Sequence, residues 1–234
     1  MFALGLLQPS SGSALESPPL TILSPGEDSE VTSPISLSAE VQPNPGGLIR
    51  IALVNRQGQE ISRKLLRVDG ENGLKGTTFT TELPFEIPTE QSKALLTLAI
   101  LDETYQTTTI RSVEVLLKSD GNPNIQPQTS SEPWLKLHYP QPSETIEGGT
   151  LLIVGSVTPQ SENPIIIELV TGENRVVGSA QLAVESPIQS KPFEITLKYN
   201  IETPTAKARL VVRQMLNPYG TTTNLDSLLI YLLP

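Results

Sequence analysis

His138 is the only histidine of the chain, and it stands in the run Leu135-Lys136-Leu137-His138-Tyr139. A Ser-His-Asp triad needs a histidine held between a nucleophile and a carboxylate, so any such triad would be built here. Alternation puts Leu135 and Leu137 on one face and Lys136 and His138 on the other, which predicts an exposed imidazole. Cysteine is absent, and that removes thiolate nucleophiles, thiolate zinc sites and disulfides together. Carboxylates cluster at Glu27/Asp28/Glu30, Asp69/Glu71, Asp102/Glu103 and Glu144/Glu147. Acid–base catalysis needs two carboxyl groups at a fixed separation in a cleft. These pairs fall in predicted loops with few aromatic residues beside them, and they read as solvated turns. No enzyme is expected.

Asp120-Gly121-Asn122-Pro123-Asn124 matches the opening of an oxygen-ligand calcium loop. The sixth position is Ile125 where such a loop needs Gly, and the twelfth is Ser131 where it needs Glu. An EF-hand is therefore rejected. No metal is expected; the alternative is a looser calcium clamp from Asp120 and Asn122 with loop acids such as Glu144 and Glu147. No other cofactor is expected: Gly46-Gly47 and Gly148-Gly149 lack the Lys-Ser/Thr that follows a phosphate-cradling loop.

Tyr105-Gln106-Thr107-Thr108-Thr109 recurs as Tyr219-Gly220-Thr221-Thr222-Thr223. Tyr105, Thr107, Tyr219 and Thr221 are the candidate binding residues, placed in the hairpin before a final strand. Either Tyr packs across the end of a sandwich while Thr starts the ladder, or the hairpins are binding tips. The net charge of −9 argues against nucleic acid and anionic membranes. Arg63, Lys64, Arg67 and Lys75 are the one basic cluster, and a solvated strand face accounts for it.

The elements that carry these residues come from a repeat. Val41-Gln42-Pro43 matches Val157-Thr158-Pro159, and Ile49 to Val54 matches Ile165 to Val170, both at an offset of 116. Phe79, Leu83, Phe85 and Ile87 match Phe193, Leu197, Tyr199 and Ile201 at an offset of 114. Offset drift of this size is what loop-length changes produce. Between the copies lies Ser119 to Pro133, polar and with three prolines. Such a linker is extended and semi-rigid, so the copies are expected to stand apart in a row.

Each copy alternates apolar residues with period two, as half-buried strands require. Ile35, Leu37, Ala39 and Val41 form one such set; Leu96, Leu98 and Ile100 form another; Leu228, Ile230 and Leu232 a third. Turn signals separate them at Asn44 to Gly47, Asp69 to Gly73, Thr171 to Asn174 and Asn217 to Gly220. The 21 prolines exclude long helices. The expected fold is all-β, two tandem immunoglobulin-like β-sandwiches of about seven strands each. Residues 1–17 form a leader, 18–118 the first sandwich, 119–133 the linker and 134–234 the second. The leader's apolar run, Met1 to Leu7, is too short to span a bilayer. It is either the stub of a signal or anchor segment, or a frayed leader or an extra strand.

Leu20-Thr21-Ile22-Leu23-Ser24-Pro25, followed by Val31-Thr32-Ser33-Pro34-Ile35-Ser36-Leu37, resembles the immunoglobulin-like domain of bacterial spore germination. The second copy keeps Tyr139-Pro140 and Gly155 but has Gly148-Gly149 in place of the second Ser-Pro. Neither copy has the usual Asp-Gly near the last hairpin. The resemblance implies an exported bacterial protein or lipoprotein. The expected function is a non-catalytic extracytoplasmic module, serving as spacer, adhesion or protein-interaction segment of the cell envelope. Its partner would be an unidentified protein or the cell wall, and a membrane only through a missing N-terminal anchor. The alternative is a polysaccharide- or peptidoglycan-binding module that uses loop tips or a sheet face.

Overall fold

In the computed structural model, residues 19–42, 47–68, 76–128, 133–216 and 219–234 are described. The leader, the turns at Asn44 to Gly46, Asp69 to Gly73 and Asn217-Pro218, Lys75, and linker residues 129–132 lie outside the described residues. The first copy contributes β1 (Leu20–Ser24), β2 (Ser29–Val31), β3 (Ile35–Val41), β4 (Leu48–Asn55), β5 (Glu60–Arg67), β6 (Thr77–Leu83), β7 (Gln91–Leu101) and β8 (Thr107–Lys118). The second contributes β9 (Leu135–Tyr139), β10 (Thr145–Ile146), β11 (Thr150–Val157), β12 (Ile165–Thr171), β13 (Val176–Leu182), β14 (Lys191–Lys198), β15 (Ala206–Leu216) and β16 (Thr221–Leu232).

The same sheet pattern appears twice. In the first copy β1-β3-β6 faces β5-β4-β7-β8, and β2 adds to β8 in parallel; in the second β9-β11-β14 faces β13-β12-β15-β16, and β10 adds to β16 in parallel. This is an all-β, immunoglobulin-like sandwich. The short pieces β2 and β10 bring each copy to eight strands. The alternating residues fill two cores, one holding Leu37, Ile51, Leu53, Leu96 and Leu98, the other Ile153, Ile167, Leu169, Leu210 and Ile230. Gly155 has a packing reason, because a Cβ there would collide with the Lys136 carbonyl of β9 and press on the Phe193 ring of β14.

The copies do not stand apart. Strands β8 and β16 pair antiparallel, Ile110 opposite Leu225 and Thr109 opposite Asp226, and this joins the two larger sheets into one of ten strands. Within each copy the last hairpin has the same register, with Leu98 opposite Arg111 and Val212 opposite Asp226. Asp226 is thus the counterpart of Arg111, and Leu225 of Ile110. Ile110 therefore meets its own counterpart, and Thr109 the counterpart of Arg111, which is the register of a local two-fold. A third apolar cluster of Ala99, Ile110 and Leu225, with Val211 against it, fills the contact.

Two forces defeat the expected spacing. Strand β7 is apolar on both faces: Leu96, Leu98 and Ile100 point to the core, while Leu95, Ala99 and Leu101 are buried too. A strand of that kind must be covered on both sides. The linker, meanwhile, is docked rather than extended into solvent. Asn124 and Glu30 exchange backbone hydrogen bonds at 2.8 and 2.9 Å, and the Gly26 N–H donates to the Gln126 carbonyl at 2.8 Å.

Candidate functional site

The two Tyr-x-Thr-Thr-Thr elements share a sequence and take opposite environments. Tyr105 sits in the β7–β8 turn with φ of 62° and is 69% exposed. Positive φ is uncommon for a residue with a side chain, and here the turn around it is tied down. Asp102 Oδ1 accepts from the Thr104 N–H at 2.8 Å, the Thr104 hydroxyl at 2.7 Å and the Gln106 N–H at 2.9 Å. Its other oxygen accepts from Arg209 of the second copy. Burial would raise the Asp102 pKa, but the hydrogen bonds from Thr104 and Gln106 and the Arg209 charge outweigh it, and the value is lowered. The Gln106 amide also reaches Asn174 Oδ1, on the β12–β13 turn, at 3.4 Å.

Tyr219 is 2% exposed. Its hydroxyl donates to Glu114 Oε2 of the first copy at 2.6 Å, so it is no free loop tip. Lys93 pairs with the same carboxylate, and Arg56 Nη2 stands 3.9 Å from it. Burial and the adjacent Glu114 carboxylate push the Tyr219 ionisation well above that of a free phenol. For Glu114 the opposing effect of burial is outweighed by Lys93, Tyr219 and Arg56, and its pKa is lowered. The register accounts for the asymmetry: Leu229 occupies in the second copy the place that Glu114 holds in the first, so Tyr105 meets no matching acceptor. Thr107 and Thr221 are half-buried and open β8 and β16 opposite Leu101 and Leu216.

A charged cluster missed in the sequence reading holds the centre of the contact. Arg111 Nη2 donates to both oxygens of Asp226, at 3.0 and 2.8 Å, while its Nη1 donates to the Ile110 and Leu225 carbonyls. Trp134 Nε1 donates to Asp226 Oδ2 at 2.7 Å, and the guanidinium lies 5.8 Å from the indole centroid. Trp134 therefore packs in the second core and against Arg111. Burial raises the Asp226 pKa, with Arg111, Trp134 and Thr109 opposing. The available signal was the interruption of alternating apolar strands by Arg111 and Asp226, which the hairpin register makes counterparts of opposite charge.

His138 is exposed. Asp120 and Asn122 are exposed as well, and among the described residues no three of His, Asp and Glu converge to hold a metal. The alternative calcium clamp with Glu144 and Glu147 is not assembled among the described residues. Glu144 is instead used within its own loop, accepting from the Gln141 N–H at 2.7 Å. Glu30 pairs with Lys118 at 3.1 Å.

No protein-family model matches the chain, and no curated protein matches it. Solved structures with similarity include dimeric latent PorU from Porphyromonas gingivalis, at 15% identity and a TM-score of 0.31, over 94% of this chain and 20% of that one. The YadV chaperone matches at 12% identity and 0.29, over 90% and 100%. The collagen adhesin from S. aureus matches at 9% and 0.22, over 92% and 91%. The chain thus spans one fifth of the PorU chain. The sandwich is read from the sheet order, and these likenesses add nothing about activity.

Proposed function

We propose that the chain is a non-catalytic interaction module of an exported bacterial protein, with residues 18–118 and 134–234 as its two building blocks. Tyr105 carries this reading: an aromatic side chain 69% exposed, on a turn fixed by Asp102 and braced by Arg209 of the other copy. Tyrosine is enriched at the energetic centres of interfaces, and a rigidly presented ring loses little entropy on binding. The Ser-Pro strand starts that resemble spore-germination domains support an extracytoplasmic, envelope-associated setting. A protein partner is the first choice.

A second reading has its own support. Next to Tyr105 in the chain, the Gln106 carboxamide reaches that of Asn174, and an exposed aromatic residue followed by paired amides also suits a polysaccharide or peptidoglycan. A photo-crosslinking residue at position 105, applied to a solubilised envelope-protein fraction and to insoluble peptidoglycan, separates the two. Adducts to protein that Tyr105→Ala removes support the first reading, and adducts to glycan the second. No adduct with either material sinks both.

A further inference from the structure

Two strands end the ten-stranded sheet, β5 and β13, and each has a paired strand on one side only. An open edge is a template for another strand, and proteins blunt such edges with charge, proline or a cover. Strand β5 carries Arg63, Lys64 and Arg67, and it is tied across to β6: Lys64 Nζ donates to Thr81 Oγ1 and the Glu82 carbonyl, and Ser62 to the Pro84 carbonyl. In the smaller sheets β14 has Pro192, Lys191, Glu194 and Lys198, β9 has Lys136 and His138, and β1 has linker residue Gln128 at its Leu23 carbonyl. Strand β13 is Val176-Val177-Gly178-Ser179-Ala180-Gln181-Leu182, without charge or proline. Its first half is shielded by β14, where Asn200 N–H donates to the Val177 carbonyl and Leu197 closes over Gly178. Ser179 and Gln181 are exposed.

We infer that β13 is a pairing edge for a second copy of this chain, joined antiparallel to the partner's own β13. Three observations select this occupant. An uncharged strand pairs with itself without opposing like charges, whereas a β5 edge paired with itself would set Arg and Lys against Arg and Lys. Antiparallel self-pairing is isologous and closes as a dimer, while pairing β13 with a partner's β5 would propagate without end. Exposed apolar residues also stand at both ends of the edge: Val176 is 50% exposed, and Ile188, in the connection after β13, is 81% exposed. An antiparallel pair centred on the open second half, Ser179 to Leu182, brings Val176 of one protomer toward the connection that follows its partner's β13. The contact would repeat between chains the edge-to-edge pairing that β8 and β16 make within one.

The chain has no cysteine, so single cysteines at Ser179 and Gln181 report on the edge without background. Analytical ultracentrifugation of the full chain up to about 100 µM is expected to show a dimer. Ser179→Lys and Gln181→Lys are each expected to weaken it roughly fivefold or more, by placing like charges near the axis. At least one single-cysteine variant is expected to form a disulfide-linked dimer under mild oxidation. A chain that stays monomeric and uncrosslinked overturns the inference, and so does a dimer that both lysine variants leave intact. Circular dichroism of each variant separates misfolding from loss of pairing. Failure here leaves the Tyr105 reading untouched, because position 105 lies on a different turn.

Discussion

Arg111 and Asp226 face each other across the two copies, with one guanidinium nitrogen 3.0 and 2.8 Å from the two carboxylate oxygens. Both side chains are at most 16% exposed. Removing one partner from a buried pair strands the other charge. Asp226→Ala is therefore expected to cost about 3–5 kcal/mol in urea unfolding, whereas Arg111→Met with Asp226→Leu is expected to cost far less. A double substitution as damaging as the single one would show that the pair supplies net stability beyond satisfying its own charges.

The unequal tyrosines separate stability from recognition. Tyr219→Phe removes a hydrogen bond to a carboxylate and is expected to cost about 1.5–3 kcal/mol. Tyr105→Phe and Tyr105→Ala, on the exposed turn, are expected to stay within about 0.5 kcal/mol of wild type. Equal losses at the two positions would contradict the asymmetry.

The pH dependence follows from the lowered carboxylates. Asp102 and Glu114 both have folded-state pKa values below their ordinary ones. The stability they contribute is complete above the usual carboxylate range and is lost as pH falls through the lowered values. Asp226 has the opposite sign: its raised value makes ionisation costly as pH rises from the ordinary carboxylate value through the raised one. Urea midpoints measured from about pH 5 to about pH 2 are expected to fall in the wild type and to fall less steeply in Asp102→Asn. Identical acid limbs would remove Asp102 from this account.

Asn224 is fully buried, and both atoms of its carboxamide lack a hydrogen-bond partner. It lies opposite Gln214, whose own amide is used by Gln160, Ser161 and Asn163. An unpaired amide costs about 1–3 kcal/mol, so Asn224→Leu is expected to stabilise by about that much. A lower denaturation midpoint in the variant would mean that a buried water occupies the site and is lost with the amide.

The docked linker is tested at Gly26, where an added Cβ would sit 2.7 Å from the Pro127 carbonyl oxygen. Gly26→Ala is expected to release residues 119–128 and to speed their cleavage in limited proteolysis, with little change in far-ultraviolet circular dichroism. Cleavage at the wild-type rate would mean that the linker tolerates the side chain in place.

The strands and their inward faces were legible in the sequence because alternation is a local property. The sets beginning at Ile35, Leu96, Ile165 and Leu228 lie in β3, β7, β12 and β16, and the duplicated order follows from the repeat. The contact between the copies was legible only in part. The run Ala94-Leu95-Leu96-Thr97-Leu98-Ala99-Ile100-Leu101 already marks a strand covered on both faces, but nothing local says what covers it. Which of two identical Tyr-x-Thr-Thr-Thr motifs becomes buried depends on residues more than a hundred positions away, Glu114 in one case and Leu229 in the other. The charge, the missing cysteine and the single histidine bounded the chemistry from composition alone. Only the tertiary structure decided that β8 meets β16, that Arg111 finds Asp226 and Trp134, and that the proline-rich linker lies along Gly26 to Glu30. Those partners are brought together by burial of two-faced strands and by charge pairing at long range, and neither leaves a period in the sequence.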